Sequence, residues 1–169
     1  ERLPFDHDHT TASSYYSPEL RLMRDWPLDA PIAPADELAG IHADDRARVA
    51  AAVARARDPN GDGQMDVEYR VVRPDGAIRW LRARSHTTFD GDGATRHPVR
   101  TVGAVSDITT QREHEATLRL NTAAIEASLN GLAIGSMEGE LVYVNPAFQR
   151  MWHLEHPREA LGQIGRAHV

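Results

Sequence analysis

The chain has 169 residues, 41% of them apolar and 26% charged, which fits one globular domain plus a remainder. The absence of Cys excludes disulfides, thiolate metal sites, cysteine nucleophiles and photochemistry through a cysteinyl adduct, and the net charge of −6 argues against nucleic acid as the main partner. No apolar run reaches membrane-span length and no signal peptide opens the chain, so the segment is expected to be cytoplasmic, with a membrane anchor left open for a longer parent.

Leu3 to Phe5 and Ser13 to Tyr16 read as two short strands around a polar connection. Ser17-Pro18-Glu19 starts a helix through Met23, with Ser17 as N-cap and Pro18 at the first helical position. The Pro-rich run from Pro27 to Pro34 reads as a loop. A helix then opens at Ile41-His42-Ala43-Asp44-Asp45-Arg46, its boundary at His42 or Ala43, and runs to Arg57. Asp44 and Asp45 complement its positive end, and Val49, Val53 and Ala56 form a thin apolar stripe.

Asp58 to Gly63 breaks this helix. From Asp58 the sequence nearly matches a calcium-binding loop, with oxygen-bearing side chains at positions 1, 3, 5 and 9 and Gly at position 6. Position 12, which should supply a bidentate Glu, is Tyr69, and the segment leaving the loop reads as strand. A turn between helix and strand is therefore expected, with no metal.

Met65 to Arg84 carries the clearest hairpin signal: two runs rich in β-branched and aromatic residues flank Pro74-Asp75-Gly76. If Arg73 faces Ala77, Glu68 lies opposite Arg82, Asp66 opposite Arg84, Arg70 opposite Trp80 and Val72 opposite Ile78. That face is polar and self-complementary. The other face carries Val67, Tyr69, Val71, Leu81 and Ala83, interrupted only by Arg79, and should be buried. Asp90-Gly91-Asp92-Gly93 then leads to a last strand from Val99 to Ile108. Two strands, helices and three more strands predict an α+β domain of about 110 residues, an antiparallel sheet with helices on one face.

His42-Ala43-Asp44-Asp45-Arg46, Glu68-Tyr69-Arg70, Pro74-Asp75-Gly76, Arg79-Trp80-Leu81 and Gly103-Ala104-Val105-Ser106-Asp107-Ile108-Thr109, in this order and spacing, resemble the PAS sensory domain with its C-terminal PAC motif. The resemblance covers residues 1–110. It implies a five-stranded sheet cradling a small pocket beneath the helices, and a signal leaving through Asp107, Ile108 and Thr109 into the following helix. Pocket candidates are Val67, Tyr69, Leu81 and Ala83 from the sheet and Val49 and Val53 from the facing helix, although a plain structural core explains the same residues. Asp107 is placed to accept hydrogen bonds from the first free helix amides or to pair with an Arg on the sheet.

Thr110-Gln111-Arg112-Glu113 has capping-box spacing, so a linker helix is expected over residues 111–130. Leu118, Thr122, Ile125, Leu129 and Leu132 follow a 4-3-4-3 spacing that suits a two-helix seam, giving the expectation of a homodimer through this helix, with an ordinary packed helix as the alternative. Gly131 to Gly135 and Glu140 to Val144 form a second hairpin around Met137-Glu138-Gly139, and Asn145-Pro146 caps a short helix holding Phe148, Met151 and Trp152. Tyr143-Val144-Asn145-Pro146-Ala147-Phe148 resembles the opening of a second, truncated PAS domain over residues 131–163, with a further helix starting at His156-Pro157-Arg158-Glu159. The last six residues, Ile164 to Val169, resemble the translated read-through of a sequencing adapter and are expected to be non-native.

Nine His invite a metal or haem reading. His7-Asp8-His9 offers two imidazoles without a third ligand at defined spacing, so a solvated loop is expected, and His42 reads as a helix-start residue. No position carries a specific cofactor signal. His114, within Glu113-His114-Glu115, resembles a phosphoacceptor but lacks the Pro expected shortly after it, and fits an exposed linker position better. Nothing resembles an ATP-binding box, so no catalytic domain is expected in this chain. The whole reads as a sensory, signal-transducing module that binds a small ligand or cofactor and feeds a bacterial sensor histidine kinase. A cyclic-dinucleotide enzyme or transcription regulator as parent, or a ligand-free dimerisation module, are the alternatives.

Overall fold

The structure, a computed structural model, describes residues 2–137 and 141–154. The Glu138-Gly139 part of the second turn, the helix start at His156 and the Ile164–Val169 tail lie outside the described residues. The chain forms two compact units, residues 1–112 and 113–169.

The first unit is built on the expected hairpin. Strands β3 (Gln64–Val72) and β4 (Ile78–Asp90) pair with Glu68 opposite Arg82, Asp66 opposite Arg84 and Arg70 opposite Trp80. The Arg73 N–H donates to the Ala77 carbonyl at 2.9 Å, and Gly76 takes the positive φ of 82° that the turn demands. Val67, Tyr69, Val71, Leu81 and Ala83 are buried. Arg79, the one charge on that face, lies at its exposed end.

Around this hairpin the five strands are ordered β2-β1-β5-β4-β3, with β1 (Leu3–Asp8), β2 (Ser13–Tyr16) and β5 (His97–Asp107) all paired antiparallel. Gly103 lets β1 and β4 close on β5: a Cβ there would sit 2.6 Å from both Phe5 Cζ and Ser85 Cβ. Only hydrogen fits, and the Phe5 ring lies against the backbone of the central strand.

Helix α1 (Pro18–Met23) has Ser17 as N-cap, its side chain accepting from the Leu20 N–H. Helix α2 (Pro34–Ala39) stands where the Pro-rich run predicted loop to its end. Pro34 is its first residue, where a missing N–H costs nothing, and Asp36 and Glu37 complement its N-terminus. Helix α3 (Ala43–Ala56) has His42 as N-cap and buries Val49, Ala52 and Ala56, with Val53 half-buried. After it, the Asp58 and Asp62 carboxylates accept the backbone N–H groups of Asn60 and Gln64 at 2.8 and 2.9 Å, so these acidic oxygens shape the turn.

Asp45 ties α3 to the sheet. Its carboxylate, 5% exposed, accepts from the Arg70 backbone N–H and from Arg70 Nε, both at 2.9 Å, and from Arg48 at 2.9 Å. The acidic first turn was legible as a helix-end preference; its burial against Arg70 was not.

The second unit holds most of helix α4 (Thr109–Ala127), the hairpin β6 (Ala133–Gly135) and β7 (Leu141–Val144), and helix α5 (Pro146–Met151). The fully buried Asn145 caps α5. Its Oδ1 accepts from Leu132 and Phe148 N–H groups, and its Nδ2 donates to the Ile125 and Asn130 carbonyls, so every donor and acceptor capacity it has is used. Helix α4 starts at Thr109, so Thr110 lies inside it rather than at its cap. It ends at Ala127, so Leu129 and Leu132 fall beyond it and the seam on the helix shrinks to Leu118, Thr122 and Ile125.

Removing the Asp45 carboxylate should leave the half-buried Arg70 with only the exposed Asp44 carboxylate, at 3.3 Å, as an ion-pair partner. Asp45→Ala is expected to cost about 3 kcal/mol in urea unfolding. The Arg70 hydrogen bonds hold the Asp45 carboxyl well below the ordinary carboxylate range. Its contribution is therefore present above the unfolded value near pH 4 and lost as pH falls below it, so the mutant's deficit should shrink in acid. An equal deficit at neutral and acid pH would contradict this.

Candidate functional site

Strand register sorts the inner face of the sheet into rows. Leu3, Val105, Ala83 and Val67 form an apolar row across β1, β5, β4 and β3. The next row is Tyr16, Phe5, Gly103, Ser85 and Met65, and the one after is Ser14, His7, Thr101 and Thr87. Polarity thus rises along the strands, from aliphatic through mixed to wholly polar.

Above these rows lies a cavity of about 130 Å³. Of the expected lining residues, Val49, Val53, Val67, Tyr69 and Ala83 surround it. Leu81 does not: it lies one row beyond Ala83, opposite Tyr69 and Asp107, and is fully buried in the core. Alternation places Leu81 on the inner face but does not fix its depth.

The polar end is ordered by its own bonds. Thr87 and Thr101 hydroxyls meet at 2.8 Å, Thr101 Oγ1 also meets His9 Nε2 at 2.8 Å, and His7 Nδ1 meets Ser14 Oγ at 2.5 Å. The expected solvated loop at His7-Asp8-His9 is corrected here. His7 belongs to β1, is half-buried, lines the cavity and packs edge-on against the His9 ring at 4.5 Å. Among the described residues no cluster of three or more His, Cys, Asp or Glu is placed to hold a metal. Towards β2, Glu37 on α2 accepts the Tyr16 hydroxyl at 2.5 Å, while Arg24 donates to the Glu37 carbonyl and lies 4.5 Å over the Trp26 ring. Burial and the Glu37 carboxylate push the Tyr16 phenol up, so it stays protonated and donates.

At its other end β4 holds the start of α4. Asp107 Oδ1 accepts the Thr109 N–H at 2.8 Å, and Oδ2 accepts from Arg79 at 3.2 Å, so both roles open to this residue are filled. The Trp80 N–H donates to Thr109 Oγ1 and its carbonyl accepts the Ile108 N–H, each at 2.9 Å. Arg112 pairs with Glu68 and lies 5.1 Å over the Trp80 ring.

Comparison with protein families matches the PAS fold over residues 14–105 and a PAS domain over residues 119–168. The chain belongs to the PAS family. A sensory box histidine kinase/response regulator from Burkholderia thailandensis is 30% identical, with 72% of this chain and 88% of that one covered and a TM-score of 0.56. The N-terminal domain of a diguanylate cyclase with PAS/PAC sensor from Marinobacter aquaeolei is 18% identical over 66% and 99%, also at 0.56. A domain of a light and redox sensing histidine kinase from Haloarcula marismortui is 21% identical over 64% and 90%, at 0.52. No curated protein matches the chain.

The PAS sheet brings together residues that sequence reading did not: His7, Ser85, Thr87 and Thr101 inside, Arg24 and Glu37 at the side. A signal was available for two of them. The alternation that buries Leu81 and Ala83 continues to Ser85 and Thr87, which puts hydroxyls on the inner face of a PAS strand. His114 is exposed on α4.

Burial, and next the Arg57 charge, lower the His7 pKa below 6.5, with Glu37, Asp8 and Asp6 opposing. The unfolded chain thus takes up this proton first, so the contribution of neutral His7 to stability is full above about pH 6.5 and declines as pH falls below it. Imidazole NMR should show His7 titrating below 6.5 and moving up in Arg57→Gln. A midpoint at or above 6.5 in the unaltered protein would contradict this placement.

Proposed function

We propose that this chain is the PAS input segment of a sensor histidine kinase. A small ligand in the cavity biases the first unit, and Asp107, Ile108 and Thr109 relay the change into α4. The carrying observation is that one strand serves both ends: Ala83, Ser85 and Thr87 of β4 line the cavity, while Arg79 and Trp80 of the same strand hold the first turn of α4. Ser85 and Trp80 are five residues apart, about 17 Å along an extended strand. A ligand that shifts the strand shifts its hold on the helix, provided it prefers one of two strand positions.

The kinase assignment draws on the 30% identity to the sensory box histidine kinase/response regulator. Pairing of α4 with a second copy belongs to the same proposal, and the exposed Leu118 lies on that helix. Boundaries near residues 110 and 130 separate sensor, linker and second PAS in this reading.

Joined ahead of an autophosphorylating kinase core, the chain should set its basal rate. Asp107→Ala, which frees Arg79 and the Thr109 N–H, is expected to change that rate by about fivefold or more, the lower end of ordinary coupling. The same rate in variant and parent would refute the relay through Asp107. The source gene, read onward past Gln163, should complete the second PAS and then encode a phosphoacceptor helix and an ATP-binding domain; a cyclase, phosphodiesterase or DNA-binding domain there would remove the kinase assignment alone.

A further inference from the structure

The cavity is chemically lopsided. Its walls are mostly aliphatic and aromatic, and its volume of about 130 Å³ is close to that of an engineered apolar cavity that holds a single benzene ring. Pockets for drug-sized or larger cofactor-sized ligands start at about 300 Å³, so the body of the ligand is about one ring in size.

Two features are left over once the internal bonds have been assigned. Ser85 is 7% exposed, lines the cavity in the mixed row, and its Oγ has no hydrogen-bond partner. A buried hydroxyl without a partner costs stability unless something else meets it. Arg57, the C-cap of α3, also lines the cavity, is itself exposed, and makes no ion pair or side-chain hydrogen bond among the described residues. It shares the cavity lining with His7, Thr87 and Thr101 of the polar row. The lining beside α2 is unsuited to an anion. There the Glu37 carboxylate lines the cavity, and Arg24 is engaged with the Glu37 carbonyl and the Trp26 ring.

We infer that the cavity takes a small monoanionic ligand with an apolar body of about one ring, a monocyclic aromatic carboxylate or its branched aliphatic equivalent. Its carboxylate meets Arg57 and the Ser85 hydroxyl, and its body lies over the aliphatic row of Val67, Ala83 and Val105. This inference rests on the reading of the cavity as a ligand site. The chemistry follows from the donors: guanidinium and hydroxyl both give hydrogen bonds to a carboxylate, and a buried carboxylate needs such partners to stay ionised.

Benzoate and toluene serve as probes, titrated into the full 169-residue chain and followed by amide NMR shifts. Benzoate should bind more tightly than toluene, shifting the Ser85 and Thr87 amides. Arg57→Gln, at an exposed position, should weaken benzoate about tenfold and leave toluene unchanged, and Ser85→Ala should weaken benzoate with the fold intact. Toluene binding as tightly as benzoate, or benzoate indifferent to Arg57→Gln, would overturn the carboxylate inference while leaving the ligand site standing. Absence of shifts at every cavity residue with either probe would overturn both.

Discussion

The pleat of β4 is the constraint on which the rest of the first unit depends. A strand of thirteen residues, held by β3 from Ile78 to His86 and by β5 from Leu81 to Asp90, cannot slip without turning every inward side chain out. Held in one register, Leu81, Ala83, Ser85 and Thr87 face inward, while Trp80, Arg82 and Arg84 face outward. The inward set grades from core to cavity wall to polar end. The outward set carries Trp80, the anchor of α4, whose ring meets Arg70 of β3 and Arg112 of α4.

That outer face is held by charge without much burial. Arg82 meets Asp66 at 2.6 Å, Arg84 meets Asp66 at 3.0 Å, and Arg112 pairs with Glu68 across the face. Singly, exposed pairs of this kind contribute little, and their value here lies in choosing the register. Asp45 differs because it is buried and bonded to a backbone amide as well as to guanidinium groups. It fixes α3 above the hairpin, and so fixes the roof of the cavity, to which α3 contributes Val49 and Val53.

Local chemistry was legible. The turn at Pro74-Asp75-Gly76 and the caps at Ser17, His42 and Asn145 are decided within a few residues, the complementary charges of β3 and β4 follow from the register that turn sets, and Asp107 meets both Thr109 beside it and Arg79 28 positions back. What was not legible depends on distant pairing. Asp45 finds Arg70 25 positions away, and His7 acquires its meaning only when β1 pairs with β5 opposite Thr101. Leu81 shows the limit of alternation, which gives a face and not a row. Leu129 and Leu132 show the limit of heptad spacing, which gives a stripe and not a helix end.

Coupling of the cavity wall to the start of α4 runs through β4. Hydrogen exchange at the Trp80, Ile108 and Thr109 amides measures the hold on the helix, and Val53→Phe fills the cavity from the α3 side without touching that hold. Protection at these three amides should change by about fivefold or more while the amides within α3 keep theirs. Unchanged protection at Trp80, Ile108 and Thr109 in a folded Val53→Phe protein would contradict it.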